Sequence, residues 1–460
     1  MYETITADLK EIKSILNRSE SYLLDFKSKD ISPAKLQLHF VAFANADGGD
    51  LYVGVDEHNS DFLENGFAKP EDANNLISVV LGNTSPSVEG VVIEFIKAPS
   101  SRLILHILVP KSEMVHYTST GDCYVRINAS SEKIKGEEIV RLGYSKGIYK
   151  YEEQPVRSAE ISDIIESSYL KDYLSRLSST QDPMRFLRRN KLLASYDNET
   201  CPSVACVLLF DSEPQEVISN KCSIKIIRLQ TTSEDYNRAQ LAVNETLVGP
   251  IEEITKAAEK RIWQIMEEST FMIEDNQVKV SYPVEAVHEI LVNAVLHRDY
   301  SRSDDIHVTI YDNRIEVRSP GRLAGNVTVD NILDSHFNRN ANLVRMINKL
   351  PDPINHDLGE GLNTAFRALR NAGLVKPQIE EIENSVLVKI LHKKLASYED
   401  QIMEYLETHP FVTNKIARAI TGEGSENRIK NSFKKLREAG KIRILDPSAR
   451  KFDYKYVLKS

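Results

Sequence analysis

The chain reads as an α+β protein of several domains. Three observations carry that class: an amphipathic helix across residues 284–300, strand-like alternation in the first third and again after residue 300, and close-set helical segments ending in a hairpin after residue 395. At 460 residues and 41% hydrophobic there is room for about three packed domains of roughly 100 to 200 residues each. No apolar run approaches the roughly 20 residues that span a bilayer, and residues 1–20 are polar and charged rather than signal-like, so a cytoplasmic protein with no membrane partner is expected. Cys123, Cys201, Cys206 and Cys222 are too irregularly spaced for a disulfide framework or a zinc ribbon. The net charge is -9, yet residues 411–460 hold thirteen Lys and Arg against five acids, a local +8 that leaves the rest near -17. Such asymmetry points to a basic end with an acidic partner.

In the first segment Leu24 and Phe26 alternate with Asp25 and Lys27 as in a half-buried strand. A helix is expected over 34–46, with Leu38, Val41, Ala42 and Ala44 apolar, and Asp47-Gly48-Gly49 stops it. Residues 50–57 then read as a buried strand ending in acid, followed by strands at 91–97, 102–109 and 123–127 and a helix from 136.

Four anchors in this segment are Glu20-Ser21-x-x-x-Asp25-Phe26-Lys27, Ala42-Phe43-Ala44-Asn45-x-x-Gly48-Gly49, Gly54-Val55-Asp56, and Tyr124-Val125-Arg126-Ile127 with Ser130-Ser131. Together they are similar to the Schlafen-type AlbA domain, over residues 1–150. The resemblance implies nucleic-acid binding, with Lys27 and Arg126 as candidate contacts. In the Schlafen branch it implies three acids forming a metal-dependent RNA-cleaving site. The matching positions are Glu20, Asp25 and the Asp56/Glu57 pair, with Asp25 replacing a more usual Glu. Acids from a loop and two strand ends can converge on one divalent cation and activate water against a phosphodiester. Alternatively the same acids pin the fold through Lys27, Asn45 and backbone amides.

Residues 143–184, with Tyr144, Tyr149, Tyr151 and Glu152, read as a charged connector leading into helices. Residues 203–210 and 223–229 are apolar enough for strands, and 246–268 has helical periodicity around Trp263, a candidate core residue. No Gly-x-x-x-x-Gly-Lys-Ser/Thr occurs, which excludes a P-loop.

The helix expected at 284–300 follows Pro283, with Ala286, Val287, Ile290, Leu291, Ala294 and Val295 at helical spacing. Glu289 and Asn293 are four apart and share a face. A carboxylate so placed can orient and deprotonate a water, while the amide oxygen helps hold magnesium among phosphate oxygens. His288-Glu289 is not a zinc-protease helix, since position 292 is Val292, and His297-Arg298-Asp299 is not a kinase loop, since position 304 is Asp304. Strands at 306–311 and 314–317 flank an Asp312-Asn313 turn, then come Ser319-Pro320-Gly321-Arg322-Leu323 and, later, Leu358-Gly359-Glu360-Gly361-Leu362 opening a helical segment.

A Glu-x-x-x-Asn helix, a Gly turn after a hairpin and a later Gly-x-Gly before a helix resemble the GHKL ATPases. More closely, residues 289–374 look like the divergent GHKL domain of bacterial helicase-related regulators. The resemblance implies a Bergerat-type α/β sandwich binding ATP with Mg2+. Glu289 would be general base, Asn293 the magnesium ligand, Gly321 part of the first nucleotide turn, and Gly359 and Gly361 part of the phosphate lid. Most GHKL proteins place at Ser319 an Asp that reads the adenine amino group.

After a strand at 385–391, Ile402, Tyr405 and Leu406 mark one helix, 412–420 a second and 425–439 a third. The third keeps Ile429, Phe433 and Leu436 inward and Arg428, Lys430, Lys434 and Lys435 outward, and a hairpin pairs 442–445 with 454–458. This order looks like a winged helix-turn-helix, with DNA binding or protein docking as its work. The expected architecture is therefore an AlbA-like domain at 1–150, a lead-in plus GHKL-like domain at 151–394 and a winged helix at 395–460. The expected function is that of an ATP- and nucleic-acid-binding regulator, presumed from GHKL relatives to form homo-oligomers. The alternative is a nucleotide-switched, metal-dependent nuclease acting on RNA such as tRNA.

Overall fold

A computed structural model describes residues 2–16, 18–55, 66–273, 276–335, 337–355, 361–394, 397–421, 423–446 and 454–459. The chain divides into two compact units, one comprising 1–368 with 377–391 and the other 369–376 with 392–460. Among the described residues no helix is long and apolar enough to cross a membrane.

The first unit opens with β1 (Glu3–Thr6), α1 (Leu9–Leu16), β2 (Leu24–Lys27), α2 (Pro33–Asn45), β3 (Gly49–Val53), α3 (Asn74–Gly82), β4 (Val92–Lys97) and β5 (Leu103–Val109). The strands form one sheet in the order β1-β4-β5-β3-β2, with β1/β4 and β2/β3 parallel. Alternation along β3 explains its two faces. Leu51 and Val53 join Phe40 and Phe43 of α2 in the main core, while Tyr52 joins Phe26 and Ile12 on the other side. Helix α2 starts at the Ser32 cap followed by Pro33. The hairpin β6 (Cys123–Ile127) with β7 (Ser130–Ile134) packs on α2, and α4 (Glu137–Lys146) ends at Gly147 in the left-handed conformation.

A helical stretch follows: α5 (Ile161–Glu166), α6 (Ser168–Arg176), α7 (Pro183–Arg189), the hairpin β8 (Leu193–Tyr196) with β9 (Glu199–Pro202), α8 (Val204–Phe210) and α9 (Pro214–Val217). Two expectations change here. Residues 203–210 form a helix, not a strand, because Ser203 caps it by accepting from the Cys206 amide, and all seven residues of α8 are buried. An unbroken apolar run gives no period by which to tell the two apart. Trp263 is half-buried rather than core, the buried stripe of its helix running through Ile254, Ala258, Ile262 and Ile265.

The second sheet is built from β10 (Ile224–Leu229), β11 (Leu241–Leu247), β14 (Ile306–Ile310), β15 (Arg314–Pro320), β16 (Gln378–Ile382) and β17 (Ser385–Leu391), ordered β11-β10-β14-β15-β17-β16. Between these in sequence lie α10 (Ile251–Glu268), the short pair β12 (Phe271–Ile273) and β13 (Asn276–Val278), α11 (Val284–Leu296), α12 (Ala341–Ile347) and α13 (Gly361–Asn371). Helices α10 and α11 pack on each other and on β10 and β15, a two-layer α/β arrangement. Helix α10 starts later than residue 246, because 241–247 alternates between half-buried and exposed and pairs with β10 as an edge strand.

The second unit holds α14 (Tyr398–Thr408), α15 (Asn414–Thr421), α16 (Glu426–Glu438), β18 (Ile442–Ile444) and β19 (Tyr456–Leu458), the last two an antiparallel pair. Ile402, Leu406, Ala417, Ile429, Phe433 and Leu436 form its core, all recurring at helical spacing.

Candidate functional site

A cavity of about 420 Å³ lies between α11 and the sheet, within the usual size of ligand pockets. Asn293 and Ala294 of α11, Ser319 of β15, the following Gly321 and Arg322, and Gly361 at the start of α13 line it, over an apolar floor of Val317, Ile379, Val386 and Val388. The Glu289/Asn293 spacing works as expected from helix geometry. A Cβ built on Gly361 would stand 2.6 Å from Glu289 Oε2 and 3.5 Å from Asn293 Nδ2. Residue 361 is thus a glycine because the backbone opening α13 runs against the carboxylate and amide that the sequence singled out. Gly359 lies outside the described residues.

Gly321 answers to different neighbours. Its φ is +102°, and an added Cβ would stand 2.5 Å from Asp299 Cβ and 2.3 Å from an Arg339 guanidinium nitrogen. The Asp299 amide donates to Pro320 O at 2.9 Å, and Arg339 donates to Arg322 O at 2.6 Å and Ser145 O at 3.0 Å. Asp299 and Arg339, both buried, brace this turn, and neither was singled out from sequence. Ser319 Oγ donates to Ala294 O at 2.7 Å, tying β15 to α11. Its lone pairs remain able to accept from a base amino group.

Arg322, beside the cavity, reaches the N-terminal sheet region. It donates to Tyr22 Oη at 2.7 Å and pairs with Asp47, while Glu381 lies 3.4 Å away. Lys111 pairs with Asp47 at 3.0 Å and donates at 2.9 Å to both Leu323 O and Val327 O. Burial alone would raise the Asp47 pKa, but the cations Lys111 and Arg322 hold it below the ordinary value. Burial beside Asp47 raises Tyr22. No short-range pattern joins residues 275 apart, so this link was not legible beforehand.

In the N-terminal acid group, Asp25 is 1% exposed. It pairs with Lys27, with Arg126 at 2.8 Å and with His39 at 3.3 Å. Burial works to raise its pKa, but hydrogen bonds with His39, Glu20 and Lys27 hold it well below the carboxylate range. Glu20 accepts from the Phe26 amide at 3.0 Å and from Lys27 at 3.2 Å. Arg126, a candidate nucleic-acid contact, is instead 3% exposed and spends its donors on Asp25, Ser21 O and Leu24 O while lying 4.5 Å over the Phe43 ring. Asn45 spans His116 O and Tyr124 O at 2.8 and 2.9 Å. Asp56 and Glu57 lie outside the described residues, and among the described residues no three His, Cys, Asp or Glu side chains are grouped to hold a metal.

On α16 the four outward cations each meet an acid: Arg428 with Glu423 at 3.1 Å, Lys430 with Glu426 at 2.6 Å, Lys434 with Glu438 at 3.8 Å and Lys435 with Glu399 at 3.2 Å. The Lys430–Glu426 and Lys434–Glu438 pairs are exposed on both sides and therefore weak, whereas Glu423 is buried and Glu399 half-buried.

Comparison with known proteins adds two domain matches. Residues 20–135 match the family model described as "Schlafen, AlbA_2", and residues 303–390 match the one described as "Putative ATP-dependent DNA helicase recG C-terminal". A search of curated proteins finds no match. Among solved structures, the crystal structure of the DIP2311 protein from Corynebacterium diphtheriae is similar at 17% identity over 98% of this chain and 96% of that one, with a TM-score of 0.41.

Proposed function

We propose that the chain is an adenine-nucleotide-binding, nucleic-acid-binding regulator in which the cavity beside α11 takes ATP with magnesium and passes its state to the AlbA-like region. The observation that carries this is the convergence of the Glu289 carboxylate and the Asn293 amide on the backbone at Gly361, with Asn293 and Gly361 lining the cavity. The donor set fits the ligand. A glycine cradle admits phosphate closely, an amide oxygen suits magnesium, and a carboxylate can orient water for hydrolysis. Magnesium, when bound, would offset phosphate charge, with Asn293 holding it. Arg322, lining the cavity while bonded to Tyr22 and Asp47, supports the coupling.

The three helices and hairpin of the second unit have the order of a winged helix, and Arg428, Lys430, Lys434 and Lys435 would meet phosphates by giving up their acidic partners, most readily at the exposed Lys430 and Lys434 pairs. The partnering of Asp25 and Glu20 with Lys27, His39 and Arg126 favours a fold-pinning role over cleavage, since metal ligation would require Asp25 to leave three partners. Calorimetry on the full chain with ATP and ADP in magnesium tests the central reading. Binding in the micromolar to millimolar range, weakened by Asn293→Ala, is expected, and no heat at millimolar nucleotide would refute it.

A further inference from the structure

Positive charge without acidic compensation sits away from both the cavity and α16. Residues 183–192, Pro-Met-Arg-Phe-Leu-Arg-Arg-Asn-Lys-Leu, and 340–350, Asn-Ala-Asn-Leu-Val-Arg-Met-Ile-Asn-Lys-Leu, contain six cations and no acid. On α7, Arg185, Arg188 and Arg189 stand at i, i+3 and i+4 and so share a face, while Arg345 of α12 and Lys349 in the turn that follows it both reach Asn190 Oδ1. These five and Lys191 are exposed, and no described acid lies within ion-pair reach of any of them.

The two helices are stitched together at their cationic ends. Arg345 donates to Asn190 O at 2.6 Å and Asn190 Oδ1 at 3.3 Å, Lys349 donates to the same Oδ1, and Asn342 donates to Lys191 O at 3.1 Å. Asn190 and Asn342 are buried, so the cations are held close by neutral groups that cannot cancel their charge. The crowding is felt: burial first, then repulsion from Arg345 and Arg189, lowers the Lys349 pKa. Lys191 is held at φ +56°, a conformation costly for a side chain with a Cβ. Six like charges gathered on a protein of net charge -9 make a local positive field that attracts an anionic ligand.

We infer that the surface formed by α7 and α12, with Arg185, Arg188, Arg189, Lys191, Arg345 and Lys349, binds the sugar–phosphate backbone of a nucleic acid. The inference rests on the nucleic-acid-binding reading above and assigns it a surface away from α16, whose α7 half lies outside both matched segments and whose α12 half lies within 303–390. Four of the six are arginine, whose planar fork matches phosphate in two hydrogen bonds. An anionic membrane is the weaker fit. Membrane-surface helices present apolar anchors, whereas Phe186 and Leu187 of α7 and Leu343, Val344, Met346 and Ile347 of α12 are all buried.

The test uses the full chain and fluorescence anisotropy against labelled duplex DNA and single-stranded RNA across a salt series. Arg185→Gln/Arg188→Gln/Arg189→Gln is compared with wild type, as is Arg345→Gln/Lys349→Gln, with melting curves to show that each is folded. On duplex the triple variant should lower the slope of log affinity against log salt by about 2.7, at about 0.9 for each phosphate contact. The double variant should lower it by about 1.8 on the same basis. An Arg428→Gln/Lys430→Gln/Lys434→Gln/Lys435→Gln variant should lower it separately, with the losses additive. If wild type binds and both α7 and α12 variants keep its slope, the surface is not a nucleic-acid site and the broader reading survives. If wild type binds neither polymer, both fail. Binding to phosphatidylserine vesicles but to neither polymer likewise overturns the inference and identifies a lipid surface.

Discussion

At the scale of single residues, the two glycines at the cavity separate chemistry from folding. Gly361 abuts the movable end of Glu289, so Gly361→Ala should leave the melting temperature nearly unchanged while displacing the carboxylate. Gly321 has a left-handed φ and would drive a Cβ into Asp299 Cβ, which cannot rotate away, so Gly321→Ala should cost about 1 to 3 kcal/mol of stability. If the chain hydrolyses ATP, Glu289→Ala should lower turnover about 10²- to 10⁴-fold with little change in nucleotide affinity, read by phosphate release beside calorimetry. Asp25→Ala removes the partner of the buried Arg126 and should destabilise by about 3 to 5 kcal/mol, read by denaturant midpoint. A destabilisation below about 1 kcal/mol would remove the fold-pinning account. Because the folded-state pKa of Asp25 is lowered, its contribution is present above the unfolded value of about 3.9 and lost as pH falls toward the folded one. The variant should therefore show a shallower loss of stability in acid than wild type.

At the scale of elements, local signals were legible where caps and periods agreed. Pro283 opens α11 and Ser425 caps α16, and both apolar stripes became core. Glu289 and Asn293 could be paired because helix geometry turns a spacing of four into a shared face. The alternation in 241–247 was hidden by its half-exposed edge position, and 203–210 had no alternation to read. What escaped at the site were groups defined by burial. Asp299 and Arg339 brace a turn from separate segments, and Glu152, read as a connector residue, is buried and caps α12 by accepting from the Asn342 and Leu343 amides at 2.7 and 2.8 Å. Lys146, the last residue of α4, was equally unreadable. It is 5% exposed and donates to Ala44 O at 3.0 Å and Ser112 O at 2.6 Å. Burial and the nearby Lys111 push its ammonium down to about 7. The folded state then binds fewer protons than the unfolded state between about pH 7 and the unfolded lysine value of about 10.4. Stability contributed by this group should rise with pH across that window and be flat below it. Melting series for wild type and Lys146→Met should differ in slope above pH 7, and parallel curves would count against the assignment.

At the scale of the molecule, the matched segments 20–135 and 303–390 meet at Arg322, Asp47, Tyr22 and Lys111. The same Arg322 lines the cavity. A polyanion entering beside Arg322 must compete with Asp47 for its charge, and whatever Asp47 gives up is returned to Lys111 and to the Gly48 turn behind it. Gly48, next in the chain, has a φ of +77° and lies against the end of β5, where a Cβ would stand 2.4 Å from Val109 O. This makes Asp47 the position at which nucleotide and nucleic-acid binding should be coupled. Coupling between two sites is reciprocal, and typical values of 1 to 3 kcal/mol correspond to about 5- to 150-fold. In wild type, saturating ATP with magnesium should therefore shift nucleic-acid affinity by a factor in that range, and nucleic acid should shift ATP affinity by the same factor. Asp47→Asn keeps the size of the side chain but removes the charge that Arg322 and Lys111 share and leaves one acceptor oxygen where the carboxylate offers two. It should leave each ligand binding on its own and bring both factors toward one. Two affinities measured with and without the other ligand, in wild type and variant, complete the cycle. If the variant retains the full reciprocal shift, communication runs through another contact and the Arg322 bridge is structural.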